Sequence, residues 1–171
     1  MNSNKKLNTK SIAYCSLLTA LAVIFSIFSF YITPAIKFSV SFVFIAIIAA
    51  KFGCIPAALS AAIADIIQYL IKPIGPWQPL LTLTAALTGI IFGLFLYKNK
   101  TGIVRIILSR VVISLLISTV IDTYLISILY GNVFTEFFTT RAIKNLILLP
   151  IEILMMYFAI KAINKIGLKI K

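Results

Sequence analysis

Apolar residues along this chain come in long runs, each closed by a short cluster of polar or helix-breaking residues, and the runs are longer than strands require. They place six helices near residues 12–32, 39–50, 54–71, 79–97, 103–130 and 139–163. A helix that crosses the hydrocarbon core needs roughly 20 apolar residues, fewer if it is enclosed by protein. The second run is short for a lipid-exposed span, so a partly buried or irregular helix is expected there. The connections carry Pro, Gly or Lys: "TPAIK" at 33–37, "KFGCIP" at 51–56, "KPIGPWQP" at 72–79, "KNKTG" at 98–102 and "YGNVFTEF" at 130–137. Nothing is left over for a soluble domain, so residues 1–171 read as a single six-helix transmembrane domain. The opening "MNSNKKLNTKSI" is basic, and the apolar run after it has no small-residue cleavage site, which predicts a retained first helix rather than a removed signal peptide.

Composition agrees with an all-α integral membrane protein: 61% of residues are hydrophobic, 12% are charged, and there is no His in 171 positions. The formal net charge of +12 does not point to nucleic acid, because Lys and Arg sit in short segments between apolar runs, as in loops that face an anionic leaflet. Cys15 and Cys54 have no metal-ligand spacing and read as small packing residues. No G-x-x-x-x-G-K-[ST] loop, H-E-x-x-H, Cys cluster or G-x-S-x-G occurs. The chain is therefore expected to be no enzyme, to hold no metal or cofactor and to take any ATP-driven motor from a partner. An aspartyl dyad of Asp65 and Asp122 is formally possible but stands in no supporting context.

Charge also sets an expected orientation. With a cytoplasmic N-terminus, the inner segments hold Lys5, Lys6, Lys10, Lys51, Lys98, Lys100, Arg105, Lys161, Lys165, Lys169 and Lys171, and both termini lie inside. Lys37, Lys72, Arg141 and Lys144 then fall at or near the outer ends of their helices, where this rule gives no reason for them. In "TTRAIKNLILLPIEILMM", residues 139–156, Arg141, Lys144, Leu148 and Glu152 share one helical stripe. An ionised group at the bilayer centre costs about 2.5–3.5 kcal/mol or more, so this stripe should face the protein interior. Asp65 and Asp122 lie roughly 10 Å below the same ends at 1.5 Å rise per residue.

Two readings of these charges are open. They neutralise one another and fix helix packing, or they line an outward-facing pocket for an anionic solute. In the second, Arg141 holds a carboxylate in a fork of donors, Lys144 and Lys37 add point charges, and an acid accepts hydrogen bonds from amino or ring N–H groups. Phe30, Tyr31, Tyr69, Trp77, Tyr124, Tyr130 and Phe134 stand near that level and are candidates to sandwich a flat ring, although each also suits an interfacial anchor, Trp77 especially. Small residues four apart let helix backbones approach closely. Ala57 with Ala61, Ala58 with Ala62, and Ser60 with Ala64 suit packing within the chain; Ser16 with Ala20 suits either internal packing or a partner surface.

The run "KFSVSFVFIAIIAAKFGCIPAALSAAIADIIQYLIKPIGPWQPLLTLTAALTGIIFGLFLY" resembles the central part of the substrate-binding S components of energy-coupling factor (ECF) vitamin transporters. The stretch "TTRAIKNLILLPIEILMMYFAIKAI" is similar to the last helix of the folate-specific members, so the likeness covers nearly the whole chain. It implies a multi-pass protein of the bacterial cell membrane with six helices and cytoplasmic termini. Such a protein binds a vitamin from outside, associates with a transmembrane coupling subunit and two cytoplasmic ATPases, and topples to deliver the ligand. Residues 32–38 and 72–79 would form a lid. Ser16 and Ala20 stand where the family often has an Ala-x-x-x-Ala coupling contact, the Ser being a departure; "KFGCIPA" likewise departs from a plain Gly-Pro turn.

Folate joins a flat pterin through an aminobenzoyl ring to a glutamate with two carboxylates. Under the resemblance, Arg141, Lys144 and Lys37 supply the positive field, Asp65 or Asp122 reads the pterin, and Tyr69 and Trp77 offer stacking surfaces. Glu152 lies roughly 16 Å below Arg141, too deep for the same carboxylate; it is expected to pair with Arg110 and stands outside the expected site. Another carboxylate vitamin, such as pantothenate or biotin, is the alternative within the class. A membrane scaffold or intramembrane enzyme is the alternative outside it.

Overall fold

The computed structural model describes residues 9–33, 36–73, 77–97, 102–130 and 134–165. The basic amino-terminal segment with Lys5 and Lys6, the loop residues 34–35 and 74–76, and Lys98, Lys100, Lys169 and Lys171 lie outside the described residues. Six helices follow in order: α1 (Thr9–Ile27), α2 (Ser41–Phe52), α3 (Cys54–Ile71), α4 (Pro79–Leu96), α5 and α6 (Phe134–Lys165). Helix α5 is α-helical over Ile103–Val112, a π-helix over Ile113–Ile121, and α-helical again over Asp122–Tyr130. All but α2 are long and apolar enough to cross a membrane.

The first helix ends earlier than the apolar run suggested. Residues Phe30–Thr33 (β1) and Ile36–Phe38 (β2) form an antiparallel hairpin, with Phe30 opposite Phe38 and Tyr31 opposite Lys37. Phe, Tyr and Ile suit strands, and the intervening Pro34 cannot continue a helix that the chain has just left. The last helix begins five residues before its expected start at 139, because "FTEF" joins it instead of staying in the connection. Helix α6 continues through Pro150.

Helix α2, at 12 residues about 18 Å long, cannot span roughly 30 Å of hydrocarbon alone. It is protected instead: Val43 and Ile45 to Ala49 are buried, and α2 packs on α1, α3, α4 and α6. Gly53 turns the chain between α2 and α3 at φ +96°, a conformation that favours glycine. Pro79 occupies the first turn of α4, where a missing N–H breaks no helical bond.

The closest helix crossing joins α3 to α4. A Cβ at Gly89 would stand 2.6 Å from the Ala57 carbonyl oxygen, and one at Gly93 would stand 2.5 Å from Cys54 Cα. The small residues of α3 thus serve packing within the chain, and Ala57, Ser60, Ala61 and Ala64 are buried. Phe92, Ile48, Leu96, Ile106 and Met156 fill the core. Outside, large apolar side chains such as Leu17, Leu59, Leu70, Leu94, Leu146 and Phe158 are exposed, as expected where lipid rather than water is the solvent.

Candidate functional site

Toward the end of the bundle where α1 stops and α2 begins lies a cavity of about 310 Å³, within the roughly 300–1,000 Å³ range of small-molecule sites. All six helices line it: Ser26 of α1, Phe42 of α2, Asp65 and Gln68 of α3, Thr88 and Phe92 of α4, Arg110, Ser114, Ser118 and Asp122 of α5, and Arg141, Lys144, Asn145 and Glu152 of α6.

The α6 stripe faces inward, as the cost of a charge in lipid requires. Arg141 Nη1 donates to the Ser118 carbonyl at 3.2 Å, which ties the guanidinium to α5. Asn145, one helical turn further, is buried and points its Nδ2 at the Ser114 carbonyl, Ser118 Oγ and Thr119 Oγ1. Across the cavity, Asp65 Oδ2 accepts a hydrogen bond from Thr82 Oγ1 at 2.8 Å. Asp122 Oδ1 is buried and accepts none from the described residues. A buried carboxylate oxygen without a donor is costly, and a ligand N–H would relieve that cost.

Deeper in the cavity, Glu152 Oε2 accepts from Arg110 at 2.6 Å to Nη2 and 2.9 Å to Nε, with both side chains 11% exposed. The Arg110 guanidinium also lies over the Phe42 ring, 4.1 Å from its centroid, in cation–π geometry. The expected Arg110–Glu152 pairing is present. Glu152, expected to stand outside the site, lines the same cavity together with Arg110.

The structure thus brings Asp65, Asp122, Arg141 and Lys144 together around one cavity. It does not bring Tyr69 or Trp77 into it: Tyr69 is half-buried, and Trp77 is 57% exposed beside the start of α4. Gln68 takes the cavity face of α3, and Tyr69, one residue and about 100° further round the helix, faces elsewhere. Tyr124 is exposed as well. Lys37 sits in β2 opposite Tyr31, and its side chain, like those of Phe30, Tyr31, Tyr130 and Phe134, lies outside the described residues.

Among the described residues, the aromatic rings in the cavity lining are Phe42, with the Arg110 guanidinium over one face, and Phe92, which is fully buried in its wall. Sequence reasoning missed them, looking for aromatics near the helix ends, although the enclosure of the short α2 already turned its residues inward. Asn145 was also missed; its place directly after Lys144 and four residues from Arg141 was the available signal. The small pair Ser16 and Ala20 lines a separate, mostly apolar groove of about 400 Å³ between α1 and α3, with Ile12, Pro56, Leu59 and Ile63. Both residues are exposed, so among the described residues no helix covers this pair.

An apolar exterior around a charged cavity of ligand size is the architecture of a membrane-embedded solute-binding protein. A sequence profile described as "ECF-type riboflavin transporter, S component" matches residues 6–165, and the chain belongs to this family of S components of energy-coupling factor transporters. It is accordingly a multi-pass membrane protein and a transporter subunit, not an enzyme.

Among its relatives, the chain is 29% identical over 162 residues to the folate transporter FolT of Clostridium novyi (strain NT), covering 95% of this chain and 93% of the relative. It is also 29% identical over 159 residues to the folate transporter FolT of Leuconostoc mesenteroides, covering 90% and 85%. The fold is similar, with a TM-score of 0.81 and 33% identity, to a crystal structure of FolT bound with folic acid, covering 88% of this chain and 92% of that one.

Proposed function

We propose that the chain is a folate-binding S component that captures its ligand from outside the cell and works with a transmembrane coupling subunit and two cytoplasmic ATPases. The observation that carries this reading is the cavity in which Arg141 and Lys144 stand with Asp65 and Asp122. The cations suit the carboxylates of the glutamate, with Lys37 in the outer hairpin as a further point charge. The buried Oδ1 of Asp122, which accepts no bond from the described residues, and the carboxylate of Asp65 suit pterin N–H groups. The half-buried Phe42 supplies an apolar ring in place of Tyr69 and Trp77.

Charge segregation supports the orientation. The cavity lies toward the C-terminal end of α1 and the N-terminal end of α6, whereas Lys10, Lys51, Arg105, Lys161 and Lys165 fall toward the opposite ends of their helices. By the positive-inside rule those opposite ends, and with them both termini, are cytoplasmic. The Ser16 and Ala20 groove is the coupling-subunit contact, since small exposed residues let a partner helix approach closely. The whole chain acts as one transmembrane domain.

The family profile is described for riboflavin, which makes that vitamin the second reading. Riboflavin has no carboxylate and gives Arg141 and Lys144 no anionic partner. Titrating the purified protein with folic acid and with riboflavin, by isothermal calorimetry, tests the choice: folic acid binds tightly and riboflavin does not. Tighter binding of riboflavin overturns the folate reading.

A further inference from the structure

Arg110, Ser114, Ser118 and Asp122 all line the cavity, although they are spaced four apart along α5. In a regular α-helix of 3.6 residues per turn, four residues overshoot a full turn by about 40°, so three such steps carry the last residue about 120° from the first. An α-helix presenting Arg110 to the cavity would turn Asp122 off it. The π-helix over Ile113–Ile121 removes that drift, because each of its bonds reaches one residue further and more residues fit in a turn.

A π-helix is rare and needs support. Here Thr119 Oγ1 donates to the Ser114 carbonyl at 2.7 Å, and Thr123 Oγ1 to the Ser118 carbonyl at 3.3 Å, each spanning the five-residue step of the wider turn. Asn145 Nδ2 donates across from α6 to Thr119 Oγ1 at 2.8 Å. Thr119 is therefore held on both sides, fully inside the protein at 3% exposure, and it is not part of the cavity lining.

We propose that Thr119, latched by Asn145, is a positioning residue: it keeps α5 in its π-helical register and so aims Asp122 into the ligand cavity. This inference rests on the folate reading only for its binding readout. Thr119→Val keeps the shape and removes the hydroxyl, whereas Thr119→Ser keeps the hydroxyl. Folic acid affinity should fall about tenfold in Thr119→Val, as expected for losing a buried hydrogen bond and the geometry it holds, and should be restored in Thr119→Ser. In an Asp122→Asn background, Thr119→Val should add almost nothing, because it acts through the same carboxylate. Equal losses in both backgrounds, or equal losses with Val and Ser, overturn the proposal.

A second readout needs no vitamin. In protein with Cys15→Ala and Cys54→Ala, the thiol introduced by Asp122→Cys should react with a small anionic methanethiosulfonate from the aqueous side. Adding Thr119→Val should slow that reaction about tenfold, and adding Thr119→Ser should not; an unchanged rate with Val overturns the latch even if folic acid never binds. Failure of wild-type protein to bind folic acid, with the labelling contrast intact, sinks the folate reading alone. Thr119→Ala replaces Thr119→Val should the latter not yield monodisperse protein.

Discussion

Replacing Glu152 by Gln removes one charge from the floor of the cavity while keeping the side chain's shape, and its cost follows from the contacts of Arg110. At 2.6 Å and an effective dielectric constant of about 20, the attraction between the two charges is roughly 6 kcal/mol. Desolvation of both ions offsets much of this, so the pair as a whole adds little net stability. Removing one partner is different, since it leaves the other charge buried and unpaired at about 3–5 kcal/mol. Phe42 stays over the guanidinium at 4.1 Å and keeps a cation–π contribution, and the cavity admits some water, which puts the expected loss near 3 kcal/mol.

For a chain of this size each kcal/mol moves the melting temperature by about 2–4 °C, so Glu152→Gln should melt roughly 6–12 °C below the wild type. The assay is the fraction of protein that stays monodisperse in detergent after heating. The double variant Arg110→Met with Glu152→Leu should recover most of the loss, because neither charge is then stranded. A drop of less than about 2 °C for Glu152→Gln, or a double variant worse than the single one, would refute the claim that this ion pair is buried and mutually dependent.

Three further outcomes are expected. Arg141→Ala should weaken folic acid binding at least about tenfold, or about 1.4 kcal/mol, by calorimetry; unchanged affinity removes Arg141 from the site. Gly93→Val should cost about 1–3 kcal/mol or prevent folding, because its Cβ would collide with the α3 backbone at Cys54; size-exclusion profiles read this directly. Ala20→Leu should leave folic acid affinity within about twofold while abolishing copurification with the coupling subunit. A loss of affinity together with retained copurification would remove the α1 groove from the coupling contact.

The sequence carried the bundle, and it carried four of the charged residues that line the cavity. Long apolar runs broken by Pro, Gly and Lys located all six helices, because in lipid the backbone must satisfy its own hydrogen bonds and an uninterrupted apolar segment has few other options. Arg141, Lys144, Asp65 and Asp122 were legible for a related reason: a charge in a membrane segment is too costly to be placed at random. The hairpin Phe30–Thr33 with Ile36–Phe38 was not legible, since its apolar residues read as a continuation of α1.

Aromatic rings give no such signal. Tyr69, Trp77, Phe42 and Phe92 are equally at home facing lipid, an interface or a pocket, and hydropathy does not separate these environments. Their roles depend on which way each helix is turned. The π-helical stretch of α5 makes the same point for Asp122, whose aim into the cavity depends on bonds from Thr119 and from Asn145 on another helix. Sequence alone determined which segments cross the membrane and which charges must be sheltered, because both follow from transfer free energies that each residue carries locally. Only the tertiary structure decided that the cavity reaches Arg110 and Glu152, and which rings face it, because these depend on helix rotation and are set by contacts between distant segments.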